Sequence, residues 1–259
     1  MQLSIYASGP RMMQNNLLQD KVALVTGGAQ RLGGAIATRL HEAGMNLVIH
    51  YRSSDRTARS LQETLHAKRD ASTVLVKGDL LEVDKSRHLV GQCVQAFGRL
   101  DVIVNNASTF YPTPLGDVSP EDWEALMGVN LRAPFFLAQE AATELRKNRG
   151  CVVNMVDIYG LSPLKNHIVY STAKAGLIAL TRALARELAP EVRVNAVAPG
   201  AILWPEGDDN EVAHQRIIST TPLKRIGSPE EVADAVLFLI GGAGFTTGHV
   251  LPVDGGRGL

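Results

Sequence analysis

The chain is poor in cysteine. Of its 259 residues only Cys93 and Cys151 are cysteines, and neither belongs to a Cys-x-x-Cys pair. That argues against a disulfide framework and a cysteine zinc site; no metal is expected, and a reducing, cytoplasmic setting suits the count. Net charge is also missing, with 26 basic and 26 acidic side chains. Without a basic excess to neutralise phosphates, nucleic acid is a poor partner. No apolar run approaches the ~18 residues that a membrane span needs, so no membrane partner is expected. The opening "MQLSIYASGPRMMQNNLLQD" has one Arg and no sustained apolar core, which makes it a poor signal peptide. It reads as a flexible extension over 1–20, and Met12 and Met13 allow a start further along.

What is present is an alternation. "KVALVTGG", "MNLVIHY", "STVLVKGDL", "LDVIVNNAS", "GCVVNMV", "VRVNAVAPG" and "GHVLPVDGG" are short apolar runs. Between them lie helical stretches: "RLGGAIATRLHEAG", roughly 54–69, roughly 84–97, two within 119–148, about 168–189, and "SPEEVADAVLFLIG" with its Ser-x-x-Glu capping box. Strands apolar on both faces and separated by helices predict a parallel sheet covered on each side. The expectation is a single doubly wound α/β domain of Rossmann type over 21–259. It has seven parallel strands and binds ligands at their carboxyl ends.

The first strand runs into "TGGAQRLGGAIA". Glycines at that junction let a dinucleotide pyrophosphate approach the backbone N–H groups of the first helix. The second strand ends in "HYRSSDR". An acid there would hold ribose hydroxyls, whereas Arg52, Ser53 and Ser54 suit a 2′-phosphate, which favours NADPH. Asp55 is read as part of the next helix, where an acid suits the helix dipole.

Tyr170 and Lys174 stand in "YSTAK" after a strand. A free tyrosine has a pKa of about 10 and gives up its proton poorly. A lysine one helical turn away, on the same face, stabilises the phenolate. Taken alone, such a pair is an ordinary surface feature; behind a cofactor turn it points to proton donation.

From Lys21 onward the chain resembles the short-chain dehydrogenase/reductase family, on "TGGAQRLG", "NNAS", "GVNLRAPF", "YSTAK" and "VNAVAPG" in family order. The resemblance implies that Tyr170 donates a proton. Lys174 would bind the nicotinamide ribose and lower the Tyr170 pKa, and Asn130 would hold a relay water. It implies that Gly27, Arg31, Leu32, Gly33, His50, Tyr51, Arg52, Ser53 and Ser54 hold the cofactor, with Asp79 and Leu80 flanking the adenine. Asn105 to Ala107, Ser108, Pro199 and Gly200 would complete that set. A homotetramer is implied as well, with Arg257 near the terminus reaching a neighbouring site.

Two departures point one way. Arg31 stands where the family has its middle glycine, and Asp157 stands where the family has a hydroxyl, thirteen residues before Tyr170. An ionised carboxylate cannot donate to a growing oxyanion and would repel it. It suits a C=N bond, whose nitrogen takes a proton. With "HYRSS", "NNASTFYPTPL" and "MVD", these departures resemble the pteridine reductases of the family. That likeness implies NADPH-dependent reduction of a pterin, and by extension of folates. Phe110 would stack the pterin ring, Ser108 and Arg31 would bind its polar edge or nearby phosphates, and Asp157, Tyr170 and Lys174 would carry the proton. Leu203 and Trp204 would lie in a substrate lid, "APGAILWPEGDDNEVAHQR". Dihydromonapterin reductases share the Asp-Tyr-Lys arrangement and are the nearest alternative. A ketone or 3-oxoacyl reductase and a non-enzymatic NADPH sensor are the others.

Overall fold

The computed structural model describes residues 17–204, 207 and 209–259. Seven strands form one sheet: β1 (Val22–Val25), β2 (Asn46–Tyr51), β3 (Thr73–Lys77), β4 (Val102–Asn105), β5 (Cys151–Met155), β6 (Arg193–Pro199) and β7 (Val250–Val253). All pairings are parallel, in the order β3-β2-β1-β4-β5-β6-β7. Eight helices accompany it among the described residues: α1 (Arg31–Glu42), α2 (Asp55–Lys68), α3 (Asp84–Phe97), α4 (Pro120–Met127), α5 (Ala133–Asn148), α6 (Ile168–Glu187), α7 (Glu211–Thr220) and α8 (Pro229–Leu237).

Every residue of β1, β4 and β5 is buried, because helices cover both faces. Alternate residues feed two cores. Ala23, Val25, Leu47 and Ile49 meet Ile36 and Leu40 of α1 and Val232 and Val236 of α8. Val22, Leu24, Val48 and Ile103 meet Leu89 of α3 and Leu137 and Leu145 of α5. Each of the Val, Leu and Ile side chains contributes about 1.5–3 kcal/mol on burial. Ser228 caps α8 through a full capping box with Glu231, as expected, and Ser119 does the same for α4 with Asp122. Each cap is worth about 1 kcal/mol.

The chain reverses its winding between β1 and β4, which opens a crevice at their carboxyl ends. Two local features add to the sequence reading. The stretch 119–148 is broken by a π-helical turn, Gly128–Arg132, that carries Asn130. The far half of the expected lid is helix α7, started by Asn210, whose side chain accepts the Ala213 N–H. Pro205, Glu206 and Asp208 of that lid lie outside the described residues, as does the expected extension up to residue 16. Leu18, nominally in the extension, packs into the first core.

Candidate active site

The turn after β1 is clamped from both neighbouring strands. His50 of β2 accepts the Gly27 N–H at Nδ1 (3.3 Å), and its Nε2 lies 3.0 Å from Gly78 O. Together these contacts select the tautomer with the proton on Nε2. Burial lowers the His50 pKa, which keeps the ring neutral and able to accept. On the other side Asn106 donates to Thr26 O and Gly27 O, both at 3.0 Å. Thr26 Oγ1 in turn accepts the N–H groups of Asn106 and Ala107. Gly27 has φ +59°, and a Cβ on Gly33 would lie 2.1 Å from Gly27 O. The close helix approach therefore demands glycine at 33.

Beside this turn lies a cleft of about 380 Å3. Its lining includes Gly27, Arg31, Leu32 and Gly33 from the turn; His50, Tyr51, Arg52, Ser53 and Ser54 from the end of β2; Asp79 and Leu80; and Ala107 and Ser108. Asp55, the acid nearest the β2 end, is turned away. Its carboxylate takes Lys77 Nζ at 2.8 Å and the Tyr51 hydroxyl at 3.3 Å. Arg52 and Ser53 stand exposed instead. A clamped glycine turn, a space that a Cβ would fill, and a cation with hydroxyls in place of an acid together fit a nicotinamide dinucleotide. Four expected cofactor residues, Asn105, Lys174, Pro199 and Gly200, do not line the cleft. Asn105 is buried between strands and donates to Asn154 Oδ1 at 2.8 Å. Pro199 and Gly200 sit where β6 meets β7, with the Gly200 N–H on Val253 O.

The residues expected to carry proton transfer come together outside the lining of the cleft. Beyond β5, Asp157 is extended and caps a 3-10 turn, Ile158–Gly160, by accepting the Tyr159 N–H at 2.8 Å through Oδ1. Gly160 lets that turn rest on α6, since a Cβ there would lie 2.8 Å from the Lys174 carbonyl carbon. The other Asp157 oxygen accepts the Tyr170 hydroxyl at 2.7 Å. Lys174 Nζ, fully buried, donates to Met155 O at 2.9 Å and lies 5.6 Å from the Tyr170 ring centre.

Burial dominates the electrostatics. It raises the Asp157 pKa against the Tyr159 N–H, Tyr170 and Lys174, which pull it down. It lifts Tyr170 well above the usual tyrosine range, with Asp157 adding to the effect. It lowers Lys174 to about 8. The resemblance implies a Tyr170 pKa lowered by Lys174; here burial and Asp157 raise it.

Asn130 donates to Thr109 O and Leu126 O, both at 2.9 Å, and accepts the Ser108 hydroxyl at 2.7 Å. Both amide protons are thus taken, and the side chain ties the β4–α4 loop to the π turn. A relay water is left only the remaining Oδ1 lone pair or the main chain. Phe110 is 47 % exposed and meets Tyr170 edge to face at 4.8 Å. One of its faces, however, is stacked on His167 at 4.6 Å. His167 was not singled out from the sequence. Its position one helical turn before Tyr170 was the available signal. Arg31, at φ +51°, lines the cleft and donates to Trp204 O at 2.9 Å, joining the cofactor turn to the lid. Trp204 stacks on His214, and Leu203 is exposed.

The profile of the family described as enoyl-(acyl carrier protein) reductase matches residues 27–257. Pteridine reductase 1 of Leishmania tarentolae is 38% identical, over 92% of this chain and 96% of its own length. The chain belongs to the short-chain dehydrogenase/reductase family. It is an oxidoreductase of that family, whose reductases use NAD(P)H. The 3-oxoacyl-[acyl-carrier-protein] reductase FabG of Aquifex aeolicus is also 38% identical, over 92% of this chain and 98% of its own length. That of Staphylococcus aureus is 32% identical, over 91% and 97%. Similarity to pteridine and oxoacyl reductases is therefore even, and the choice between them falls to the site. No helix among the described residues is long and apolar enough to cross a membrane.

Proposed function

We propose that the protein is an NADPH-dependent pteridine reductase that reduces a C=N bond of a dihydropterin, and by extension of folate or dihydrofolate. The observation that carries this reading is the Asp157–Tyr170 hydrogen bond at 2.7 Å. A carboxylate facing the donor hydroxyl is unsuited to a carbonyl oxygen that gains negative charge, and suited to a ring nitrogen that gains a proton.

Gly27, Gly33, His50, Arg52, Ser53, Ser54, Asp79 and Leu80 would hold NADPH, with Arg52 and the two serines on its 2′-phosphate. NADPH supplies the hydride to the carbon of the C=N bond. The rest of the chemistry is proton transfer, done by the chain. Tyr170 alone is too weak an acid, since its pKa stands well above 10. Asp157, with its raised pKa, supplies what Tyr170 lacks. When Asp157 is protonated, its O–H turns to Tyr170 Oη and frees the Tyr170 O–H for the substrate nitrogen. The carboxyl proton then passes to Tyr170 as the phenol proton passes to nitrogen, so no bare phenolate builds up. Lys174 favours the carboxylate that remains. Phe110 would stack the pterin ring, and Ser108, held by Asn130, would bind its polar edge.

The even similarity to FabG proteins supports a second reading, a 3-oxoacyl or other ketone reductase. The test is NADPH oxidation with dihydrobiopterin, dihydromonapterin, dihydrofolate and a simple β-ketoester side by side. Turnover of the pterins with little of the ketoester supports the proposal; the reverse pattern refutes it. Dihydromonapterin as the preferred pterin would narrow the reading to that activity. A cytoplasmic homotetramer is part of the proposal. It is supported by the two buried, unpaired cysteines and by exposed apolar residues such as Trp123, Phe135, Phe238 and Phe245. Arg257, expected at a neighbouring site, is tied to its own chain by Ile217 O and Thr220 Oγ1 and is not part of that proposal.

A further inference from the structure

A second hollow, of about 340 Å3, lies between the loop 158–165 and the C-terminal tail. Its wall begins at Ile158 and Tyr159, directly after the proton-transfer carboxylate Asp157. Lys165 and Arg257 line it, together with the hydroxyl-bearing residues Tyr159, Ser162 and Thr220. No acidic side chain lines it among the described residues. The acid nearest Arg257 in the tail, Asp254, is engaged elsewhere: its two oxygens accept the N–H groups of Gly256 (2.9 Å) and Gly258 (2.7 Å).

Arg257 is held in place. Its Nη1 donates to Ile217 O at 3.3 Å and to Thr220 Oγ1 at 3.2 Å, at the end of α7. That contact leaves the Nη2–Nε edge of the guanidinium, the edge that takes a carboxylate in two parallel hydrogen bonds. The remaining wall is apolar, with Leu161 and Pro163. Two cations without a lining counter-charge, hydroxyl donors and an apolar wall are the parts that recognise an organic acid.

We propose that this hollow is a second ligand site, for an organic anion whose carboxylate is taken by Arg257 and Lys165 and whose apolar body rests on Leu161 and Pro163. It is separate from the dinucleotide cleft. Its occupant sits against Tyr159, whose N–H holds Asp157 Oδ1, so filling the site bears on the proton-transfer carboxylate. The anion has two sources: a free small carboxylate, or the tail of a conjugated substrate whose ring lies at Tyr170.

The test is calorimetric titration of the full-length, NADPH-saturated protein with p-aminobenzoylglutamate, an aromatic body bearing two carboxylates. The wild type should bind it saturably. Lys165→Glu reverses one charge at an exposed residue, and Ser162→Asp adds a negative charge at another, so both variants should fold. Each should weaken binding about tenfold or more. No saturable binding, or equal affinity in wild type and both variants, overturns the site. Where the variants weaken the probe and also dihydrofolate, but not dihydrobiopterin, the occupant is the substrate's tail. Where they weaken the probe alone, it is a separate anion. Heat of binding is read without turnover, so the site stands or fails apart from the pterin reading.

Discussion

The Tyr170 hydroxyl donates to Asp157 Oδ2 at 2.7 Å, and the opposite oxygen of the same carboxylate accepts the Tyr159 N–H at 2.8 Å. The carboxylate is thereby pinned by its own loop and aimed at the hydroxyl proposed to donate the proton. Burial raises the pKa of both groups, and each rise strengthens the hold of the pair on its protons.

A pH profile should show it. Turnover that needs a proton on Asp157 persists below its raised folded pKa and declines as pH rises through it. The limb should lie above the ordinary carboxylate range. Steady-state kcat against pH for wild type and Asp157→Asn is the measurement. The variant should lose about 10²-fold or more in kcat and lose that limb with it.

Cofactor choice should turn on Arg52. The acid beside it, Asp55, is occupied by Lys77 and Tyr51. Arg52→Ala should raise the KM for NADPH about tenfold to a hundredfold and leave that for NADH nearly unchanged, in line with loss of one charge-assisted contact of about 1.5–3 kcal/mol. An equal effect on both cofactors would place Arg52 away from the 2′-phosphate.

Gly33→Ala puts a Cβ 2.1 Å from Gly27 O, with the Asn106 side chain 2.5 Å away. Turn and helix must separate, which distorts the cleft that both line. Dinucleotide binding, followed by fluorescence titration, should weaken by at least about 10²-fold, while a far-ultraviolet dichroism spectrum like that of wild type would show that the fold survives.

Stability should fall in mild acid through a group remote from the site. His41 of α1 is buried against Ser72 at 2.8 Å, and desolvation, with help from Arg69 and Lys68, lowers its pKa from 6.5 to about 4. The unfolded chain therefore binds the extra proton first. The stabilisation is complete above pH 6.5 and is lost as pH falls towards 4. Unfolding free energies from urea titrations at pH 7 and pH 5 should differ by about 2 kcal/mol in wild type, and by less in His41→Gln.

The cofactor turn was legible because it makes demands that few residues meet: a positive φ at Gly27 and a missing Cβ at Gly33. Asp157 was legible because its spacing to Tyr170 is fixed by a strand end and a helix start. The rest depended on contacts between distant segments. The His167–Phe110 stack joins a loop after β4 to the start of α6, and nothing local to either residue announces it. Asn130 was expected to hold water; its commitment to Thr109 and Leu126 appears only once the π turn has formed. Helix α7 was hidden inside a segment read as a lid, because the cap that starts it, Asn210, is announced only by its bond to the Ala213 N–H.

The most direct test of the central claim is Asp157→Ser, assayed by NADPH oxidation with dihydrobiopterin and with a simple β-ketoester, against wild type. The account predicts that wild type prefers the pterin, and that the variant loses about 10²-fold or more of pterin turnover while its ketoester-to-pterin ratio rises. A variant that keeps its pterin turnover, or a wild type that prefers the ketoester, would contradict it and leave Asp157 as an unusual wall in an ordinary carbonyl reductase.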